Sequence, residues 1–172
     1  EVYHALKRIL HQKFGAGSTN VGDEGGFVPP LKKTADTLDL IRKAIRSAKY
    51  TGRVKIALDL AASEFFVDGR YRIDGKKLTS EQLVDYYVSL VKRYPIISLE
   101  DPFDQEDFES FHMLKEKLKR KKTQIVGDDL TVTNLERIDA ALTEKSCNCL
   151  LLKVNQVGTL TEALDAAALV RR

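Results

Sequence analysis

Short apolar runs that each close on an ionisable residue recur along this chain, with helix-like stretches between them. The runs begin near residues 54, 96, 124 and 149 and close on Asp59 (KIALD), Glu100 (IISLE), Asp128 (QIVGD) and Lys153 (LLLKVN). The last two spacings, 28 and 25 residues, fit strand–helix units joined by short loops. A helical crossover forces successive strands to run parallel. The choice is then between a doubly wound sheet and a (β/α) barrel. No glycine-rich phosphate fingerprint follows the first run, which weighs against a dinucleotide-binding sheet. A complete barrel has eight strands and typically ~250 residues. With 172 residues and five candidate strand ends, the chain reads as α/β, a partial (β/α) barrel whose first and last parts are missing.

The helices are legible from spacing. Val2, Leu6, Ile9 and Leu10 open the chain at helical intervals. Residues 34–49 place Leu38, Ile41, Ala44, Ile45 and Ala48 on one stripe, with Thr34 as the expected cap and Tyr50-Thr51-Gly52 as the stop. Further helices are expected over 80–93, 106–121, 134–144 and 159–169, the third of these capped by Asn134. Strands are expected over 54–60, 96–99, 124–127 and 149–154, with a hairpin over 65–73 turning at Asp68-Gly69. The chain begins at Glu1 inside a helical pattern and stops at Arg172 inside another, so it reads as a piece of a larger protein.

Composition narrows the function classes. Hydrophobic residues at 43% and charged residues at 31% describe a folding, water-exposed chain. A net charge of +3, without an arginine-rich or aromatic-interleaved stripe, gives no reason to expect nucleic acid as a partner. No apolar stretch approaches the ~20 residues of a membrane helix. Cys147 and Cys149 cannot build a disulfide framework and are read as reduced thiols. His4, His11 and His112 have no ligand spacing. The Lys119-Arg120-Lys121-Lys122 run reads as a solvated helix end.

The ionisable strand ends carry the chemistry. A charge just past one strand is ordinary loop polarity, but repetition at corresponding positions is not. Counting Glu24 in the Gly22-Asp23-Glu24-Gly25-Gly26 turn, there are five. In a barrel such ends converge on the face where active sites are built. Alternation puts Asp59 with Ala57 and Lys55, Glu100 with Ser98, and Lys153 with Leu151 and Cys149, all toward the lumen. Leu58, Ile56, Leu99, Ile97, Leu152 and Leu150 then face the outer helices. Converging carboxylates repel one another unless a cation joins them. All-oxygen donors favour Mg²⁺ or a similar hard ion. A lysine beside bound cations would have its pKa pushed down and could serve as a general base. Together these groups suggest proton abstraction next to a carboxylate, with Glu24 handling a leaving group.

The motifs EVYHALK, NVGDEGGF, ALDLAASEFF, LVKRYPIISLEDPFDQEDF, QIVGDDLTVTN and CLLLKVNQVGTLTEA resemble enolase, in order and across essentially the whole chain. A lysine or histidine base paired with one or two Mg²⁺ ions is the established pattern of enolase-superfamily sites, and the resemblance brings that pattern with it. The resemblance implies a barrel of the enolase C-terminal domain type and Mg²⁺-dependent dehydration of 2-phosphoglycerate to phosphoenolpyruvate, a hydro-lyase reaction. It implies Asp59, Glu100 and Asp128 as metal ligands, with Glu100 and Asp128 also facing the substrate. It implies Lys153 as the base at C2 and Glu24 as the acid-side group at C3. Asp129 could be mistaken for the ligand, but the family pattern uses the first of the pair.

It further implies a cytoplasmic, homodimeric full-length protein with a small-molecule substrate. A separate N-terminal domain and the later barrel strands with the phosphate grip are expected outside residues 1–172. The segment alone is therefore expected to be inactive. Two other readings compete: a non-catalytic enolase-like binding or structural protein, and a racemase or sugar-acid dehydratase of the same superfamily. GDEGGF together with LLLKVNQVG argues against the latter.

Overall fold

The computed structural model describes residues 1–171, which form two compact units divided between Lys55 and Ile56. In the first unit, helix α1 (Val2–Phe14) packs on helix α2 (Thr34–Ser47). Ala5 and Leu10 of α1 are buried, as are Leu38, Leu40, Ala44 and Ile45 of α2. The α2 cap differs from expectation. Lys33 holds the cap position without a side-chain hydrogen bond, and Thr34 is already helical.

The loop between these helices carries the Gly22–Gly26 turn. Gly22 N–H donates to Gly26 C=O and Gly25 N–H to Gly22 C=O, both at 2.9 Å. Gly25 has φ +77°, a conformation that side-chain-bearing residues resist. The loop is tied to α1 by Tyr3, whose hydroxyl donates to Gly25 C=O at 3.0 Å and whose ring stacks on Phe27 at 4.4 Å. An isolated bridge, Val21 to Phe27, flanks the turn, with Val28 N–H donating to Asn20 C=O at 3.0 Å. Glu24 thus sits on a turn rather than at the end of a sheet strand, contrary to the five-strand count.

The second unit is built on an all-parallel sheet. Its strands are β1 (Ile56–Asp59), then, after a small antiparallel meander of β2 (Phe66–Val67), β3 (Arg70–Ile73) and β4 (Lys76–Leu78), β5 (Ile96–Glu100), β6 (Gln124–Gly127) and β7 (Cys149–Leu150). The parallel order is β1-β5-β6-β7, each step a helical crossover or longer: α3 (Ser80–Arg93), α4 (Phe108–Leu118) and α5 (Leu135–Thr143). Two further helices follow β7, α6 (Val154–Val157) and α7 (Leu160–Leu169). This is the strand–helix succession of a barrel wall.

Local chemistry explains most boundaries. Thr79 and Gln82 close a capping box on α3. Asp107 caps α4 by accepting Ser110 N–H, and Asn134 caps α5 by accepting Glu136 and Arg137 N–H. The expected hairpin has a third strand. The second Asp-Gly pair, Asp74-Gly75, has both φ angles positive (53° and 78°), as a two-residue hairpin turn requires.

One face of the sheet is packed against helices. Ile56, Ile96, Leu99 and Ile125 are buried with Leu83, Tyr87 and Leu90 of α3 and Phe111 and Leu114 of α4. Full burial of such side chains contributes about 1.5–3 kcal/mol each. Strict alternation fails at one point. The register steps from Ile56↔Ile96 to Ala57↔Ser98, so Ile97 is an extra residue in β5. This bulge lets Ile96 and Leu99 both face the helices and leaves Ile97 49% exposed. Leu152, also expected on the helix side, is 44% exposed because β7 ends two residues earlier.

Candidate active site

The C-terminal ends of the parallel strands bring the acidic residues side by side. Asp59 and Glu100 are register partners at the ends of β1 and β5, and Asp128 follows β6 directly. Among the described residues, the group whose ligand atoms lie within 4.8 Å of one another is Glu100, Asp101 and Asp128. Asp59 is exposed and lies outside that group, but its charge reaches Glu100. Burial first, then Asp59 and Asp128, push the Glu100 carboxyl up to about 7. Burial also raises Asp101 and Asp129.

Lys153 lies one strand further along. It is not in a strand, as expected, but holds the cap position of α6, three residues past Leu150. Its ammonium donates to Asp128 Oδ2, and this bond raises its pKa. The expected downward push is that of a lysine beside bound cations; the carboxylates around the amine favour its charged form. Glu24 is exposed on its turn in the first unit, so of the five expected residues four belong to one sheet edge and Glu24 to the other unit.

Three residues of this edge were not singled out by the sequence pattern. Asp101 is 3% exposed, and its carboxylate accepts Asp128 N–H at 3.0 Å and Asp129 N–H at 2.8 Å. It therefore organises the backbone after β6, and of the three clustered carboxylates it is the one already committed to structure. Its signal was its place between the strand-closing Glu100 and Pro102. Thr133 and Gln156 are the others. Gln156 Nε2 donates to Asp128 Oδ1 at 2.7 Å, and Thr133 Oγ1 donates to Gln156 Oε1 at 2.8 Å.

The loops that carry these groups are held from several sides. The buried Tyr71 hydroxyl accepts Asp104 N–H at 2.9 Å and donates to the Asp107 carboxylate at 3.2 Å. Arg137 donates to Leu130 C=O at 2.7 Å and pairs with Glu106 at 3.1 Å, joining the loops after β5 and β6. Ala61, Asp101, Val132 and Thr133 all have φ between 41° and 56°. Left-handed backbone at non-glycine residues costs about 1–3 kcal/mol each and persists only where surrounding bonds over-determine it. All four lie within five residues after Asp59, Glu100 or Asp128.

The donor chemistry fits a hard divalent cation. The clustered ligand atoms are all carboxylate oxygens. Cys147 and Cys149 are free thiols, and burial raises both.

The sequence that builds this edge has known relatives. The family model described as "Enolase, C-terminal TIM barrel domain" matches residues 1–172. A protein named "Enolase" from Methanocaldococcus jannaschii is 55% identical over all 172 residues, and one of the same name from Methanothrix thermoacetophila is 52% identical over the same span. In both cases the alignment covers 100% of this chain and 40% of the relative, so the chain spans well under half the length of the proteins it matches.

Proposed function

From the premise that the chain belongs to the family of enolase C-terminal TIM barrel domains, we propose that it is the metal-and-base part of a Mg²⁺-dependent hydro-lyase interconverting 2-phosphoglycerate and phosphoenolpyruvate. The observation that carries this reading is the Lys153 ammonium seated on Asp128, within the carboxylate edge formed by Glu100, Asp101 and Asp128. A base beside a cation site is what abstraction of a weakly acidic proton next to a carboxylate demands.

In this reading residues 1–172 are a segment of the catalytic barrel, and the N-terminal domain belongs to the full-length parent. Asp59, Glu100 and Asp128 hold the metal, with Glu100 and Asp128 nearest the substrate. When bound, Mg²⁺ supplies positive charge that offsets the charge developing at C2 and opposes the pull of Asp128 on the Lys153 proton. Lys153 Nζ accepts the C2 proton. Glu24, on its turn in the first unit, is the acid-side group that assists departure of the C3 hydroxide as water. Asp101 keeps the Asp128 backbone in place through its two N–H bonds. The family reading also carries a cytoplasmic homodimer and glycolytic substrates. Among the described residues no helix is long and apolar enough to cross a membrane.

The test is to express the full-length parent and follow phosphoenolpyruvate absorbance with 2-phosphoglycerate. Formation that requires Mg²⁺ and stops on chelation is expected. A purified, folded parent with no turnover under saturating Mg²⁺ would remove the proposal.

A pH dependence follows from Glu100. Its carboxyl is raised to about 7, so below that pH the protonated form dominates and a cation must displace the proton. Mg²⁺ affinity of the parent is therefore expected to fall with acidification, approaching about tenfold per pH unit once Glu100 is protonated. Calorimetric titration at a series of pH values measures this. Glu100→Gln should bind Mg²⁺ more weakly and lose most of that slope; an unchanged slope would mean another group titrates.

A further inference from the structure

Four hydrogen bonds around Asp128 form a closed circuit. An ionised carboxylate only accepts, so the Gln156 amide must present its NH₂ to Asp128 Oδ1, at 2.7 Å. That leaves the Gln156 carbonyl for the Thr133 hydroxyl, at 2.8 Å. With its proton committed there, Thr133 Oγ1 receives the Lys153 backbone N–H at 3.0 Å. Lys153 Nζ then returns to Asp128 Oδ2. Every proton in the ring has one direction. Thr133 is fully buried and, with Val132, lies in left-handed backbone (φ 56° and 43°) that β-branched residues avoid. Only the surrounding bonds hold it there.

We propose that Thr133 and Gln156 are positioning residues that set the distance and direction between Lys153 and Asp128. The pair touches the carboxylate at one end and the lysine backbone at the other, so neither the Asp128 carboxylate nor the backbone from which the Lys153 side chain springs can shift without breaking a bond to the relay. This deepens the proposed function, because it rests on Lys153 as base and Asp128 as ligand. Residues that orient ligands in this way typically control about 10–100-fold of metal affinity or activity.

The experiment uses the full-length parent with Thr133→Val, Thr133→Ser, Gln156→Leu and the Thr133→Val/Gln156→Leu double variant. Turnover, Mg²⁺ affinity by calorimetry and melting temperature are measured for each. Thr133→Val and Gln156→Leu are each expected to lower kcat about 10–100-fold with KM little changed. The double variant should be no worse than the poorer single, because both break one circuit. Thr133→Ser keeps the hydroxyl and should retain most of the parent rate. Gln156→Leu should also weaken Mg²⁺ binding by about tenfold, a readout that needs no turnover.

Single-variant kcat values within about twofold of the parent, or losses that multiply in the double variant, would overturn the relay. A lowered melting temperature with unchanged kcat and Mg²⁺ affinity would do the same, since it marks a purely structural role. If the buried Thr133→Val does not fold, Gln156→Leu, at a half-buried site, decides the question by itself. A parent that binds Mg²⁺ but does not turn over would count against the proposed reaction, while the Mg²⁺ arm would still decide the relay.

Discussion

Replacing Lys153 by alanine in the full-length parent is expected to lower the rate of C2 proton exchange by about 10²–10⁴-fold, the usual contribution of a positioned general base. Mg²⁺ binding should survive. The Lys153 ammonium sits on Asp128, where it competes with any cation for the same carboxylate, so removing it leaves the ligands no poorer. The two effects therefore separate: exchange of the C2 proton collapses while calorimetric Mg²⁺ affinity holds or improves. Lys153→Arg keeps the positive charge but not a titratable amine, and should be as inactive as Lys153→Ala. A loss of only a few-fold in Lys153→Ala would mean that another group takes the proton. A large fall in Mg²⁺ affinity would mean that Lys153 supports the metal site rather than the chemistry.

The second large effect concerns the polypeptide 1–172 by itself, for which no measurable conversion of 2-phosphoglycerate is expected. The parallel sheet of the second unit has four strands, with β1 and β7 at its edges and β7 only two residues long. Edge strands with unpaired N–H and C=O groups invite association. Leu152, Val154, Leu160 and Leu164, in the segment that follows β7, are between 44% and 64% exposed. Ile97 and Ala57 lie exposed on the sheet face that a closed barrel would turn inward. The chain spans 40% of its relatives' length, and the family's phosphate contacts are expected outside it. Each such contact is one the transition state would lack. Size exclusion and the phosphoenolpyruvate assay on one sample test this. Association or dependence on added chain is expected. Turnover near that of the parent from a monodisperse 19.4 kDa species would refute it.

Much of this arrangement was legible because it is local. The spacing of Leu83, Tyr87 and Leu90 marks α3, the Asn134 cap marks the start of α5, and the strand-closing Asp59, Glu100 and Asp128 mark one end of a parallel sheet. Each depends on neighbours a few residues away, and periodicity reports them directly. Alternation misled where the chain departs from it. The extra residue at Ile97 shifted the face of β5, and the early end of β7 put Lys153 on a helix cap instead of a strand.

The residue types, the parallel succession and the acidic strand ends were determined by the sequence alone, because hydrophobic period and turn chemistry act within one element at a time. Which charges meet was decided only by the tertiary structure. Asp101 reaches Asp128 and Asp129 across 27 and 28 residues of chain, and Gln156 reaches Asp128 across 28. Neither contact has a periodic signature, since hydrogen bonds between loops depend on where the strands end in space. The left-handed backbone at Thr133 shows the same division. A local turn closes it, with Asn134 N–H donating to Thr131 C=O at 2.8 Å, and Gln156 and Lys153, brought alongside after β7, add bonds to the Thr133 side chain that no local pattern announces.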